Sequence, residues 1–284
     1  MSSSSSSTTG TKWYTVRQLK IFQFVFGSYL TVHFVQLIPH VTELFSRTGM
    51  IANAQWNPTY GYFPNILHWI DYSPQLLSTF VIFLTCLSVM FALRLIAPRL
   101  IAFLLWYGWA CLLNRNVLIL NPGIPYVGLL LLAFSLVTFT NSHKNDKEHS
   151  ELEISPQVFP WLYWGGWTLY ALGYTISGLH KLQSPSWLDG SALSHVLKSP
   201  LSRDNALCQF LLHTHPIILQ TSTWASLFAE ISFFPLGLFY HTRKLYWFAF
   251  LALHIGVLLL VNFTDLTFGI LTMHFFLFDP RWLF

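Results

Sequence analysis

Charged side chains are scarce in this sequence, at 9% of 284 residues, against roughly 25% in soluble globular domains. The 15 basic and 11 acidic residues form no basic stripe, which argues against nucleic-acid binding. The three cysteines, Cys86, Cys111 and Cys208, are too few for a disulfide framework. None belongs to a Cys-x-x-Cys pair, so the chain lacks the neighbouring thiols that a quinone-linked disulfide oxidoreductase needs.

Apolar and aromatic residues take the place of the missing charge, at 54% and 18% of the chain. This composition is typical of a protein that lies in lipid, and one helical span needs about 20 apolar residues. We therefore predict an all-α, polytopic membrane bundle with eight transmembrane helices. The predicted spans lie near 18–39, 75–97, 99–120, 123–140, 159–181, 219–240, 245–262 and 266–280.

These spans define a single transmembrane domain, residues 12–284, behind a Ser/Thr-rich tail, residues 1–11. With a cytoplasmic N-terminus, ten of the 15 Lys and Arg residues fall in inner segments. This excess of positive charge predicts that both termini are cytoplasmic. The membrane is then the bacterial inner membrane, or the endoplasmic reticulum membrane if the protein is eukaryotic.

The segments between the spans differ in character on the two sides. The inner loop, 141–158, carries acidic residues and is expected to be a solvated linker. The outer segment 40–74 is rich in Trp, Tyr and Pro, which predicts a folded cap. The other long outer segment, 182–218, is expected to place two short amphipathic helices in the membrane plane, near 190–199 and 203–213.

Two ionisable residues stand inside predicted spans, where such groups are costly and indicate function by default. Glu230 and His254 lie equally far along the chain from the tight turn at His241–Lys244. In an antiparallel helix hairpin they share one depth and can pair. The pair has two interpretations, a structural hydrogen bond between helices and a catalytic role.

Lys181 ends one face of the fifth predicted span, on which Tyr174 and Ser177 or Gly178 recur at helical spacing. A lysine at this level commonly extends its amine to the membrane surface. The functional alternative is a partly desolvated amine that acts as a general base.

Other polar residues occupy the outer ends of predicted spans, which favours a cavity open to the outer leaflet. They are His33, His40, Asn114, Arg115, Asn116, Asn262 and Asp265. Histidine pairing is limited to His213 and His215, with no carboxylate nearby, so we predict no metal site.

The segment Gly178-Leu-His-Lys181-Leu-Gln-Ser-Pro-Ser-Trp187-Leu-Asp-Gly190 resembles the Gly-x-x-Lys-Leu…Trp…Gly signature of vitamin K-dependent gamma-carboxylases. Their bacterial relatives, the horizontally transferred transmembrane domain (HTTM) proteins, share it. Leu113-Asn-Arg-Asn116 followed by Leu120-Asn-Pro-Gly123 is similar to the Asn-Arg-Asn…Asn-Gly-Gly segment of those relatives. Glu230, Leu253-His254 and Phe278-Asp-Pro280 follow in the matching order, so the resemblance covers roughly residues 20–281.

The resemblance implies that Lys181 deprotonates a reduced quinone of the vitamin K type. The activated quinol then reacts with O2 to give an epoxide and a strong base, which removes a gamma-proton from glutamate before CO2 adds. Such chemistry needs a site that excludes water. The animal enzymes have a large lumenal region after the membrane domain, whereas this sequence ends at Phe284, and they place a histidine where Arg115 or Asn116 stands.

We therefore expect a quinol-using membrane enzyme that modifies a secreted peptide or protein, with a separate protein supplying substrate recognition. Lys181 is the expected base, Glu230 and His254 support it, and the remaining polar residues bind substrate or oxyanions. That second set is Asn114, Arg115, Asn116, His33, Tyr174, Trp187 and Asn262. The alternative is a non-catalytic membrane factor that matures or exports a secreted peptide through the outer segments; a transporter is disfavoured because no internal repeat is visible.

Overall fold

A computed structural model describes residues 16–136, 139–141, 152–154 and 158–282. The tail at 1–11 lies outside them. The architecture is all-α, as predicted. The described helices are α1 (Val16–Leu37), α2 (Val41–Phe45), α3 (Leu67–Ile70), α4 (Pro74–Leu93), α5 (Pro98–Arg115), α6 (Gly123–Leu136), α7 (Val158–Lys181), α8 (Pro185–Leu188), α9 (Ala192–Lys198), α10 (Ala206–Leu212), α11 (Pro216–Gly237), α12 (Tyr240–Leu260) and α13 (Thr264–Leu277).

Proline marks where several long helices begin. Pro74, Pro98 and Pro216 are the first residues of α4, α5 and α11, a position where the missing N–H costs nothing. Ser73 caps α4 by accepting a hydrogen bond from the backbone N–H of Leu76. Among the described residues, eight helices have 14 residues or more, and they fall where the apolar runs predict helices.

Length and apolar character together single out three described segments as able to cross a membrane. These are Gln18–Phe45, Pro74–Leu93 and Tyr240–Leu260. Two further apolar helices, α6 and α13, have 14 residues each and measure about 21 Å at 1.5 Å per residue. The chain thus has the helices of a membrane protein.

The long helices form two packed groups. In the first, α1 lies against α4, α4 against α5, and α5 against α6; in the second, α7 lies against α11, α11 against α12, and α12 against α13. Contacts of α13 with α6 and α1 join the groups. Gly27 allows the close crossing of α1 and α4, because a Cβ there would stand 2.7 Å from Ala92.

Short elements lie in the segments that connect the long helices, and the solvated linker expected at 141–158 falls largely outside the described residues. Two short strands, Phe139–Asn141 and Leu152–Ile154, lie between α6 and α7 and pair antiparallel; the sequence did not predict them. In the segment after α8, α9 and α10 match the two short helices expected after residue 190. The segment 41–73 contains α2, α3 and two 3₁₀ turns, and is called the cap below.

Candidate functional site

The buried face of α7 carries hydrogen-bonding side chains along its length. Spacings alternate between four and three residues, the pattern that keeps side chains on one helix face. The stripe consists of Tyr163, Trp167, Tyr170, Tyr174, Ser177 and Lys181.

Lys181, at the end of this stripe, forms an ion pair with Glu230 of α11. Its Nζ donates to Oε1 at 2.5 Å and to Oε2 at 2.7 Å. Ser177, one turn earlier on α7, donates to Oε2 at 3.4 Å. The Glu230 side chain is 5% exposed and that of Lys181 is 26% exposed, so the carboxylate is buried while the lysine side chain is partly exposed.

Gly178 brings α7 close enough to α11 for this pair to form. A Cβ at Gly178 would stand 2.9 Å from Cγ1 of Ile231 and 3.0 Å from Cβ of Glu230. Both distances are shorter than side chains tolerate without moving. Glycine three residues before Lys181 therefore places the lysine against its partner.

A second contact between α7 and α11 forms beside Glu230, at a place where a proline interrupts the hydrogen bonds of α11. Pro235 has no N–H to donate to the carbonyl of Ile231, which leaves the helix open there. Thr175 of α7 enters this gap: its hydroxyl lies 3.1 Å from the carbonyl of Glu230 and 3.3 Å from that of Ile231. The same hydroxyl accepts from the N–H of Phe234 at 3.0 Å.

The turn after α7 folds back over the lysine. The Trp187 ring lies with its centroid 4.4 Å from Nζ of Lys181, a cation–π contact. Gly190 has φ +82°, a conformation that favours glycine, and a Cβ there would stand 2.4 Å from Cγ of Gln220. Gln220 and Trp224 of α11 donate to the carbonyls of Asp189 and Leu188, which fixes the turn against α11.

Behind the ion pair lie two tyrosine–histidine pairs. Tyr174 bonds through its hydroxyl to Nε2 of His254 on α12. Tyr170 bonds to Nε2 of His274 on α13 at 2.6 Å. All four residues are at most 9% exposed, and the Nδ1 atoms of both histidines have no hydrogen-bond partner among the described residues.

The expected pairing of Glu230 with His254 is wrong in detail. Between these two described residues there is no hydrogen bond, because Glu230 faces Lys181 on α7 and His254 faces Tyr174. Equal distance from a turn places two residues at the same depth in a helix hairpin, but it does not determine which way each side chain points around its helix axis.

Asn114, Arg115 and Asn116 direct their hydrogen bonds to the cap rather than to Lys181. Arg115 donates to the carbonyls of Ile51 and Ser46, both at 2.9 Å, and its Nε lies 3.3 Å from Oδ2 of Asp71. Asn114 donates to Thr59, and Asn116 to the carbonyl of Leu44. Their expected role in orienting oxyanions is replaced by a role in holding the cap.

The other two predicted binding residues contact other parts of the bundle. His33 lies on α1 with its ring 4.7 Å from that of Trp109 on α5. Asn262 follows α12, and its backbone N–H donates to the carbonyl of Leu201. Of the predicted set, the structure thus gathers Lys181, Glu230, Trp187, Tyr174 and His254 in one region.

Tyr170 and His274 belong to this region and were missed from the sequence. The three- and four-residue spacing along α7 would have found Tyr170. His274 carried no comparable signal, because a single histidine near the end of a short apolar helix has many roles. No group of three or more His, Cys, Asp or Glu side chains is placed to hold a metal among the described residues.

Comparison with known proteins gives no match: no family model, no curated protein and no solved structure is significantly similar to this chain.

Proposed function

We propose that this chain is a membrane-embedded enzyme whose Lys181–Glu230 pair deprotonates a reduced quinone of the vitamin K type, which then reacts with O2. The observation that carries the proposal is the buried carboxylate bonded through both oxygens to a lysine that stays partly accessible. Aromatic surface beside the amine, supplied by Trp187, suits a flat quinol ring.

The pair supplies a base without requiring a free charge in the membrane. Moving one proton from Nζ of Lys181 to the carboxylate converts the ion pair to a neutral amine and a carboxylic acid, and so removes two poorly solvated charges. The neutral amine takes the proton of a quinol hydroxyl. The resulting ammonium lies beside the quinol oxyanion and stabilises it.

The proposal includes the membrane architecture and the family. We infer eight spanning helices, with both termini cytoplasmic and Lys181 at the outer face, in the bacterial inner membrane or the endoplasmic reticulum. Exposed apolar side chains on the long helices, such as Phe24, Ile82 and Phe248, support contact with lipid. The order of motifs from Asn114 to Asp279 supports kinship with the carboxylase-like HTTM proteins.

The resemblance to the carboxylases implies a further reaction, in which CO2 is added to a secreted peptide or protein. A separate protein would recognise that substrate. The competing function is a non-catalytic membrane factor that matures or exports such a peptide. Exposed aromatic side chains on the cap favour that competitor, because they give a peptide an apolar surface to bind. They are Trp56, Tyr62, Trp69 and Tyr72.

The test uses the full chain in lipid nanodiscs with reduced phylloquinone as the probe and O2 in the buffer. We expect phylloquinone epoxide in the wild type, measured by mass spectrometry. Lys181→Arg and Lys181→Ala should both lose the product, because arginine keeps its proton. Lys198→Arg, at an exposed lysine of α9, is the matched control and should keep full activity.

Full activity in Lys181→Arg would overturn the catalytic role of the lysine. Absence of epoxide in the folded wild type would reject quinol epoxidation. The membrane factor would then be the better function, and binding of secreted peptides to the cap should be measured next.

A further inference from the structure

The two buried tyrosines of α7 share an arrangement that the proposed base chemistry does not use. Tyr174 and Tyr170 lie one helical turn apart with ring centroids 4.9 Å from each other. Each hydroxyl is hydrogen-bonded to Nε2 of a different histidine, His254 on α12 and His274 on α13. Three helices thus contribute to two equivalent pairs placed side by side.

Such a pair suits one-electron oxidation of the tyrosine. A phenol that loses an electron also loses its proton, and a neutral imidazole on the hydroxyl is placed to take it. A protein interior without solvent protects the resulting radical from water-soluble reductants and from dimerisation. Tyr170 is 1% exposed and Tyr174 is 9% exposed, so both meet this condition.

The aromatic contacts continue from the tyrosines towards the other end of the bundle. The His274 ring lies 5.1 Å from that of Tyr170 and 5.9 Å from that of Trp247. Trp247 in turn lies 5.8 Å from Trp282. Aromatic rings therefore extend from Tyr170 to Trp282, and the oxidisable ones, Tyr170, Trp247 and Trp282, are linked through the His274 ring and through direct contact.

We propose that Tyr174 and Tyr170 are redox-active tyrosines that pass single electrons towards the Lys181–Glu230 site. In the first step, Tyr174 gives an electron to a one-electron oxidant and its hydroxyl proton to Nε2 of His254, which yields a neutral tyrosyl radical and an imidazolium. In the second step, Tyr170 reduces that radical: Tyr174 regains its proton from His254, while the proton of Tyr170 moves to His274.

The natural oxidant rests on the proposed function, since an oxygen-derived species formed during quinol oxidation would be the electron acceptor. The redox property of the tyrosines does not depend on that assignment. It can be tested with photogenerated tris(bipyridine)ruthenium(III), a soluble one-electron oxidant, on the full chain in nanodiscs and without any quinone.

The readout is the tyrosyl signal in electron paramagnetic resonance after a flash and an ascorbate quench. Ascorbate removes radicals on exposed residues, so the surviving signal reports buried ones. We expect a surviving signal in the wild type and in Tyr240→Phe, which changes an exposed tyrosine that also stands beside a histidine. The double variant Tyr170→Phe, Tyr174→Phe should lose the signal.

His254→Gln tests the proton acceptor separately from the ring. We expect a smaller surviving signal, because the proton of Tyr174 loses its acceptor. The proposal is overturned if the wild type shows no ascorbate-resistant radical, or if the double variant keeps it. Epoxide formation without a radical would reject this inference alone, and a radical without epoxide would reject only the quinol chemistry.

Discussion

Lys181 of α7 donates to both carboxylate oxygens of Glu230 of α11, at 2.5 and 2.7 Å. The two residues are 49 positions apart in sequence. Their meeting depends on a glycine that lets the helices approach and on a proline that opens α11 for Thr175. The ion pair is thus a product of helix packing, and its removal should affect both stability and chemistry.

Removing only the lysine of the ion pair should lower the free energy of unfolding more than removing both charged side chains. Lys181→Met leaves the buried carboxylate of Glu230 without its cation, which should lower the free energy of unfolding by about 3 kcal/mol. The double variant Lys181→Met, Glu230→Leu should recover most of that loss, because no buried charge remains. Unfolding in detergent micelles measures both, and additive effects of the two changes would contradict the coupling.

Gly178→Ala should separate α7 from α11 beside the ion pair. The new methyl group meets Ile231 and Glu230 at 3.0 Å or less, an overpacking that costs about 1–3 kcal/mol. Gly165→Ala, on the same helix with open space around the position, is the matched control and should be neutral or stabilise by up to about 1 kcal/mol. Equal unfolding curves for the two variants would show that the close approach of α7 and α11 at Gly178 does not affect stability.

Thr175→Val should destabilise the chain because the N–H of Phe234 loses its acceptor. We expect a loss of about 1–3 kcal/mol in the free energy of unfolding. In a Pro235→Ala background the same change should cost less, since α11 can then close its own hydrogen bonds. Thr221→Val removes a hydroxyl that bonds within α11 and serves as the control. If Thr175→Val lowered the free energy of unfolding equally with Pro235 and in the Pro235→Ala background, the hydroxyl would not be compensating for the hydrogen bond that Pro235 cannot make.

The helices could be predicted from the sequence because apolar runs and prolines set their lengths and ends. Pro74, Pro98 and Pro216 mark helix starts directly. Lys181 was recognisable as the end of a polar stripe on α7, since spacing along one helix is a local property. The partner of each polar side chain was not local: Glu230 meets Lys181, and His254 meets Tyr174, according to how α7, α11 and α12 pack.

The partners of Asn114, Arg115 and Asn116 in the cap could not be predicted from the sequence either. Polar residues at a helix end indicated a substrate pocket, yet irregular backbone has carbonyls that also need donors. Arg115 satisfies those of Ser46 and Ile51. Nothing in the sequence distinguishes a donor that binds a ligand from one that binds a loop 64 or 69 residues earlier.

The inferred topology places residue 150 and the α9 segment on opposite sides of the membrane. In a Cys86→Ala background, which removes the exposed cysteine, single cysteines at Ser150 and Lys198 should react with an impermeant maleimide from opposite faces. Intact and permeabilised vesicles distinguish the two faces. Labelling of both positions from the same side would overturn the inferred arrangement.

The cap should loosen as the pH falls, because of His68. Burial and the charge of Arg115 lower the pKa of His68 below its usual 6.5, and Asp71 opposes them only in part. The unfolded cap therefore binds more protons than the folded cap once the pH drops below about 6.5, and stability declines until the folded pKa is reached.

Hydrogen exchange of residues 46–73 between pH 7.5 and 5 should show this loss of protection, after correction for the intrinsic exchange rate. His68→Gln should flatten the dependence, whereas His213→Gln, at an exposed histidine after α10, should preserve it. A slope that survives in His68→Gln would assign the pH response to another group.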